Sequence, residues 1–108
     1  LFYCTRLAMP MIKAAGGGSI ISLSSAAGRL GFPLRSPYAA AKWGVVGFTA
    51  SLAIEAGQDG VRVNCIQPGV VAGDRIDRVA AAKAEAFGVT TEEMKQRMVE
   101  KVSMRTMV

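Results

Sequence analysis

The sequence contains no histidine and only two cysteines, Cys4 and Cys65. Without histidine a zinc site would lack its usual nitrogen ligand, and two cysteines make no disulfide framework. No metal centre is therefore expected. No apolar run reaches eighteen residues, and Leu1–Ile12 lacks the basic start of a secretory signal. Neither a membrane span nor secretion is expected, which leaves the cytoplasm as the simplest location. Basic runs interleaved with aromatic residues are missing as well. The net charge is +5, but Arg6, Lys13, Arg29, Arg35, Lys42 and Arg62 are scattered, and beyond them the chain mixes both signs. Such a distribution reads as a solvated surface rather than a nucleic-acid face.

What is present is apolar material: 51% of the 108 residues, enough for a core. Leu1 to Ala15 reads as a helix with Leu1, Cys4, Ala8, Met11 and Ile12 near one face, interrupted by Pro10 and ended by Gly16-Gly17-Gly18. This glycine cluster follows a helix and opens a strand, the reverse of a phosphate-cradling loop, so it reads as a turn. Ser19 to Ser24 is a strand whose Ile20, Ile21 and Leu23 suggest cover on both faces, as in a parallel sheet. Arg29 to Arg35 is a loop punctuated by Gly31 and Pro33. Ser36-Pro37 then opens a second helix, with Ser36 as N-cap and Pro37 at the first helical position. Gly57 to Gly60 closes it. Val61 to Gln67 is a second strand, in which the polar Asn64 is expected to satisfy nearby backbone, and Pro68-Gly69 turns the chain outward. Ile76 to Phe87 and Glu92 to Ser103 read as two mixed-charge helices, the second opened by a Thr90-x-x-Glu93 capping box.

The chemistry-bearing residues gather around the first strand and the second helix. Tyr38 and Lys42, four apart, share one helix face. A phenol ordinarily keeps its proton to about pH 10. A cation fixed beside a phenol favours the ionised form, so such a pair suits proton transfer near neutral pH. Ligands of open α/β sheets bind beyond the carboxyl ends of the strands, where Ser24 and Ser25 fall.

Ser25, Tyr38 and Lys42 resemble the catalytic serine–tyrosine–lysine set of the short-chain dehydrogenase/reductases. IISLSSAAG resembles that family's strand ending in the catalytic serine, YAAAKWGVVGFTASLAIE its active-site helix, and VRVNCIQPG its next strand and cofactor loop. The similarity runs from Leu1 to about Arg78. It implies an α/β fold: part of a Rossmann-like doubly wound parallel sheet, ordered helix–strand–helix–strand–helices. It also implies that residues 1–108 are a partial domain, with a nucleotide-binding half before them and a final strand after them. On this reading the isolated fragment would show no turnover.

Further implications follow from the resemblance. Ser25 rather than Ser24 matches the family's serine, leaving Ser24 a structural role. Tyr38 and Lys42 would also meet the cofactor, NAD or NADP, and Pro68, Gly69 and Val71 match positions whose backbone cradles its nicotinamide carboxamide. Gly73 stands where the family often has threonine, so one cofactor contact is lost or passes to Asp74 or Arg75. The family's catalytic asparagine would lie upstream of LFYCTR. The region after the loop would act as a substrate lid. The implied partner is a small alcohol or carbonyl compound, and the protein would be a homo-oligomer. Trp43, Val46, Ala50 and Ile54 are candidates for the subunit-facing side of the helix or for ordinary core. Leu30, Phe32 and Leu34 are candidates for the substrate mouth or for packing. Two other functional classes remain open at this point. A hydrolase could use Ser25 as nucleophile and Lys42 as base, although no GxSxG elbow surrounds Ser25. A non-catalytic scaffold is the other.

Overall fold

The computed structural model describes all 108 residues, Leu1–Val108. Its contacts divide the chain into two compact units, Leu1–Pro68 and Gly69–Val108.

The first unit is a strand–helix–strand motif preceded by a helix. Helix α1 spans Phe2–Ala14, strand β1 Gly18–Leu23, helix α2 Ser36–Ala56 and strand β2 Val61–Ile66. The strands pair in parallel, Gly18 opposite Val61 through Leu23 opposite Ile66. A parallel pair needs a crossover, and the 21 residues of α2 supply it. Helix α1 runs through Pro10 without a break and ends in a tight glycine turn. There Gly17 takes φ 116°, and a β-carbon on it would stand 2.6 Å from the Gly60 carbonyl oxygen. Only glycine allows the start of β1 to approach the start of β2 so closely.

The core lies on one face of the two strands. Val61 and Val63 pack with Ala56, Leu52 and Ala53 of α2, with Met9 and Ile12 of α1, and with Ile20 of β1. The buried stripe of α1 is thus Thr5, Met9 and Ile12, with Ala8 half-buried, whereas Leu1, Cys4 and Met11 of the expected face are exposed. Cover on both faces of β1 is not found either. Burial alternates along both strands, leaving Ile21 at 62% and Leu23 at 64% exposure. Both helices of this unit pack on the same side, so the other side of the sheet stays open. Asn64 lies within β2 opposite Ile21, with its side chain exposed on that open side. Helix α2 carries apolar residues around its whole circumference, yet only one side is covered, and Trp43 and Ile54 are exposed. An open apolar groove of about 490 Å³ follows the unpaired edge of β1, lined by Leu1, Cys4, Ala8, Ile20, Ile21 and Val45.

The second unit is a pair of helices. Helix α3 spans Asp74–Phe87, two residues earlier than expected, and α4 spans Thr91–Val99, stopping short of Ser103. Thr90 accepts a hydrogen bond from the Glu93 amide, as the capping motif requires, while the Glu93 carboxylate pairs with Arg97 at 2.6 Å. Ala80, Ala84 and Met94 form the core, joined by Val89 and Met98. Lys95 and Asp77 tie the two helices at 2.7 Å. Val108 closes the unit by backbone bonds to Val70 and Ala72. No helix of the chain is long and apolar enough to cross a membrane.

Candidate active site at the strand ends

The parallel pairing continues past the ends of the strands. The Ser24 amide donates to the Ile66 carbonyl at 2.8 Å and the Ala26 amide to the Pro68 carbonyl at 2.9 Å. Ser25 lies between these two ties, extended in backbone (φ −166°, ψ 162°), and caps the short 3-10 turn Ala26–Gly28. Its Oγ accepts from the Ala27 amide at 3.2 Å. That bond uses a lone pair, so the hydroxyl proton remains available to a ligand. Gln67 adds a third tie, its side-chain amide donating to the Ser25 carbonyl at 3.4 Å.

Helix α2 is anchored to the same place. The buried Ser24 hydroxyl donates to the Lys42 carbonyl at 2.8 Å. Gly28 is buried beside them, and a β-carbon there would meet Ser24 Oγ at 2.5 Å and the Lys42 carbonyl oxygen at 2.7 Å. The absence of a side chain at residue 28 is what lets the helix seat against the strand end. Ser24 is therefore the structural serine of the pair, as expected. The Lys42 ammonium reaches back to donate to the Leu23 carbonyl at 3.1 Å, two residues before Ser25. The same ammonium lies 5.8 Å from the centroid of the Tyr38 ring.

Helix α2 begins one residue earlier than the Ser36 cap would have it. The Ala39 amide bonds to the Arg35 carbonyl at 2.9 Å, so Arg35 stands at the cap, with Ser36 and Pro37 in the first turn. The cause is the preceding turn, in which the Arg35 amide bonds to the Phe32 carbonyl and Leu34 adopts φ 63°. This turn folds the loop over the phenol: Phe32 packs against Tyr38 at 6.3 Å between ring centroids, and the Arg35 guanidinium lies 4.9 Å above the ring. Of the three candidate mouth residues, Phe32 is the one beside Tyr38, while Leu30 and Leu34 are exposed.

Of the six residues marked out in the sequence as site candidates, Tyr38 and Lys42 meet, and Lys42 joins them to the strand end carrying Ser25. Pro68 lies there too, through its bond from Ala26. Gly69 and Val71 belong to the second unit, where Val71 is half exposed. The apolar groove along β1 includes none of Ser25, Tyr38 or Lys42. Sequence reasoning missed Arg35, Gln67 and Gly28. Arg35 had a usable signal, lying one helical turn before Tyr38.

Comparison with known proteins gives this arrangement its setting. The family model for short chain dehydrogenases matches residues 1–84, and the chain belongs to that family. It is 39% identical over 98 residues to D-beta-hydroxybutyrate dehydrogenase of Cupriavidus necator, covering 91% of this chain and 38% of that protein. Sorbitol-6-phosphate 2-dehydrogenase SrlD from Erwinia amylovora superposes with a TM-score of 0.93 at 31% identity, over 99% of this chain and 43% of that one. An F189W actinorhodin polyketide ketoreductase with NADPH matches with a TM-score of 0.80 at 34% identity, over 88% of this chain and 36% of that one. The chain thus spans about two-fifths of the length of these relatives. The expected Rossmann-like fold is the fold of these structures.

Proposed function

We propose that the protein carrying this chain is a cytoplasmic NAD- or NADP-dependent oxidoreductase that interconverts an alcohol and a carbonyl compound. The observation that carries the reading is the Lys42 ammonium, seated on the last carbonyl of β1 and beside the Tyr38 ring. Tyr38 donates its phenolic proton to the carbonyl oxygen in reduction and takes it back from the alcohol in oxidation. Ser25 donates a hydrogen bond to the same oxygen, keeping its own proton, and stabilises the charge developing there. Lys42 holds its ammonium beside the phenol ring. An ammonium has three donors, and with one given to Leu23 two remain for a sugar's hydroxyls. That donor set fits the ribose of a nicotinamide nucleotide, with Pro68, Gly69 and Val71 offering backbone to its carboxamide. The nucleotide supplies the hydride, which no side chain can.

Several features support this over a serine hydrolase. The Lys42 side chain is engaged with the Leu23 carbonyl and the Ser25 hydroxyl with the Ala27 amide, so no bond joins Lys42 to Ser25 as a base to its nucleophile. The relatives also bear dehydrogenase and reductase names. The protein is a homo-oligomer on this reading, with Trp43, Val46, Ala50 and Ile54 of α2 as the candidates for its subunit-facing side.

The test is Tyr38→Phe in the full-length protein, assayed with both cofactors against a panel of small alcohols and ketones. Removing a positioned acid–base group costs about 10²- to 10⁴-fold in kcat. Turnover within threefold of the wild type would remove Tyr38 from the chemistry and the reading with it.

A further inference from the structure

Two cations flank Tyr38, and they differ in what they have left to give. Lys42 is partly occupied by the Leu23 carbonyl. Arg35 is half-buried with its guanidinium over the phenol ring, 4.9 Å from the centroid, and no carboxylate pairs with it. The ion pairs of the molecule include Lys13–Asp59, Lys95–Asp77 and Arg97–Glu93, and none of these takes in Arg35. Nor does the surrounding sequence offer a counter-charge. From Leu1 through Ile54 there is no aspartate or glutamate, and the charged side chains are Arg6, Lys13, Arg29, Arg35 and Lys42.

A cation taken partly out of water without an opposite charge is unfavourable, and stacking on an aromatic face offsets only part of that. The Arg35 guanidinium lies over the ring and gives no hydrogen bond within the chain. Its five N–H donors lie in the plane, and at the free edge they form a fork that matches the paired oxygens of a carboxylate or phosphate. The turn before Arg35 strengthens the case. Leu34 is held in left-handed backbone with its side chain 90% exposed, so nothing packs around Leu34 to favour that conformation. Its effect is to bring Arg35 back over the reacting phenol.

We infer that Arg35 makes the Tyr38 site selective for substrates bearing an anionic group, a carboxylate or a phosphate ester, on the same molecule as the reacting alcohol or carbonyl. The inference rests on Tyr38 being the reacting acid–base. Arg35 takes no part in proton transfer; it binds the anion and orients the carbon beside the phenol.

The full-length protein provides the test, with Arg35→Ala, Arg35→Gln and Arg35→Lys. The readout is the ratio of kcat/KM for an anionic substrate to that for its neutral counterpart. The carboxylate arm compares 3-hydroxybutyrate and 4-hydroxycyclohexanecarboxylate with their methyl esters, and the phosphate arm compares sorbitol 6-phosphate with sorbitol. The wild type prefers the anion in one arm, and that arm names the group. Arg35→Ala and Arg35→Gln lower the ratio about 10- to 100-fold, chiefly through KM, as expected for a lost charge-assisted hydrogen bond, and Arg35→Lys restores part of it. No wild-type preference in either arm, or equal losses for both members of a pair, overturns the inference. Calorimetric binding of the same compounds separates it from the redox reading. Anion binding that needs Arg35 in a protein without turnover keeps the anionic site and sinks the dehydrogenase, while no such binding sinks the anionic site.

Discussion

The two units hold themselves together by different means. In Leu1–Pro68 the decisive contacts join residues far apart in sequence: the β1–β2 pairing, the Ser24 bond to Lys42 across 18 residues and the Lys42 bond to Leu23 across 19. In Gly69–Val108 the helices α3 and α4 are neighbours in sequence, joined by a small core of Ala80, Ala84 and Met94 and by the Lys95–Asp77 pair. Charge divides in the same way. The first unit has six cations against two carboxylates, the second seven against six, so the second neutralises itself and the first does not. The difference teaches where chemistry can be built. A reacting group must be held closely, and the cross-links at the strand ends supply that kind of hold.

Gly28→Ala in the full-length protein should separate the two units most sharply. The added methyl meets the Lys42 carbonyl and Ser24 Oγ, pushing α2 away from the strand end. Overpacking of this kind costs about 1–3 kcal/mol, and a displacement near 1 Å at a catalytic group costs on the order of 10²-fold in rate. Kinetics and chemical denaturation together check this, and an unimpaired kcat would show that the seating does not position Lys42. Next in size is Met94→Ala, a core truncation expected to cost about 2 kcal/mol. Its signature is faster amide exchange across Asp74–Val99, with the protection of β1 and β2 retained. Equal loosening of both units would mean that they do not differ as described.

The smallest effect concerns Lys95. The hydrogen bond that Lys95 donates to Asp77 raises its pKa above the ordinary 10.5, and the charges of Asp77 and Glu92 act in the same direction. A raised value in the folded state means that the pair supports folding fully below about pH 10.5 and that this support fades as pH climbs through the raised value. Thermal melts at pH 9 and pH 12 should therefore differ more in the parent protein than in Lys95→Met. Identical pH dependence in the two proteins would leave the pair without a stabilising role.

Much of the site was legible in the residues because helix geometry is local. Tyr38 and Lys42 had to share a face, Thr90 had to cap its helix, and the glycine cluster had to turn. Readings that depended on what packs where fared less evenly. Strand β1 was expected to be covered on both sides, but α1 and α2 occupy one face together. Ser36 looked like a cap on composition alone, until the turn at Leu34 moved that role to Arg35.

By itself the sequence determined the order of elements, the family motif and the one-turn spacing of phenol and ammonium, since a helix repeats every 3.6 residues whatever surrounds it. Only the tertiary structure decided that Ser24 is buried as an anchor while Ser25 keeps a free hydroxyl proton, that Lys42 reaches the carbonyl of Leu23, and that Arg35 lies over Tyr38 unpaired. These depend on how a helix seats against the end of a strand and on how a loop folds back, and both are set by packing between distant residues.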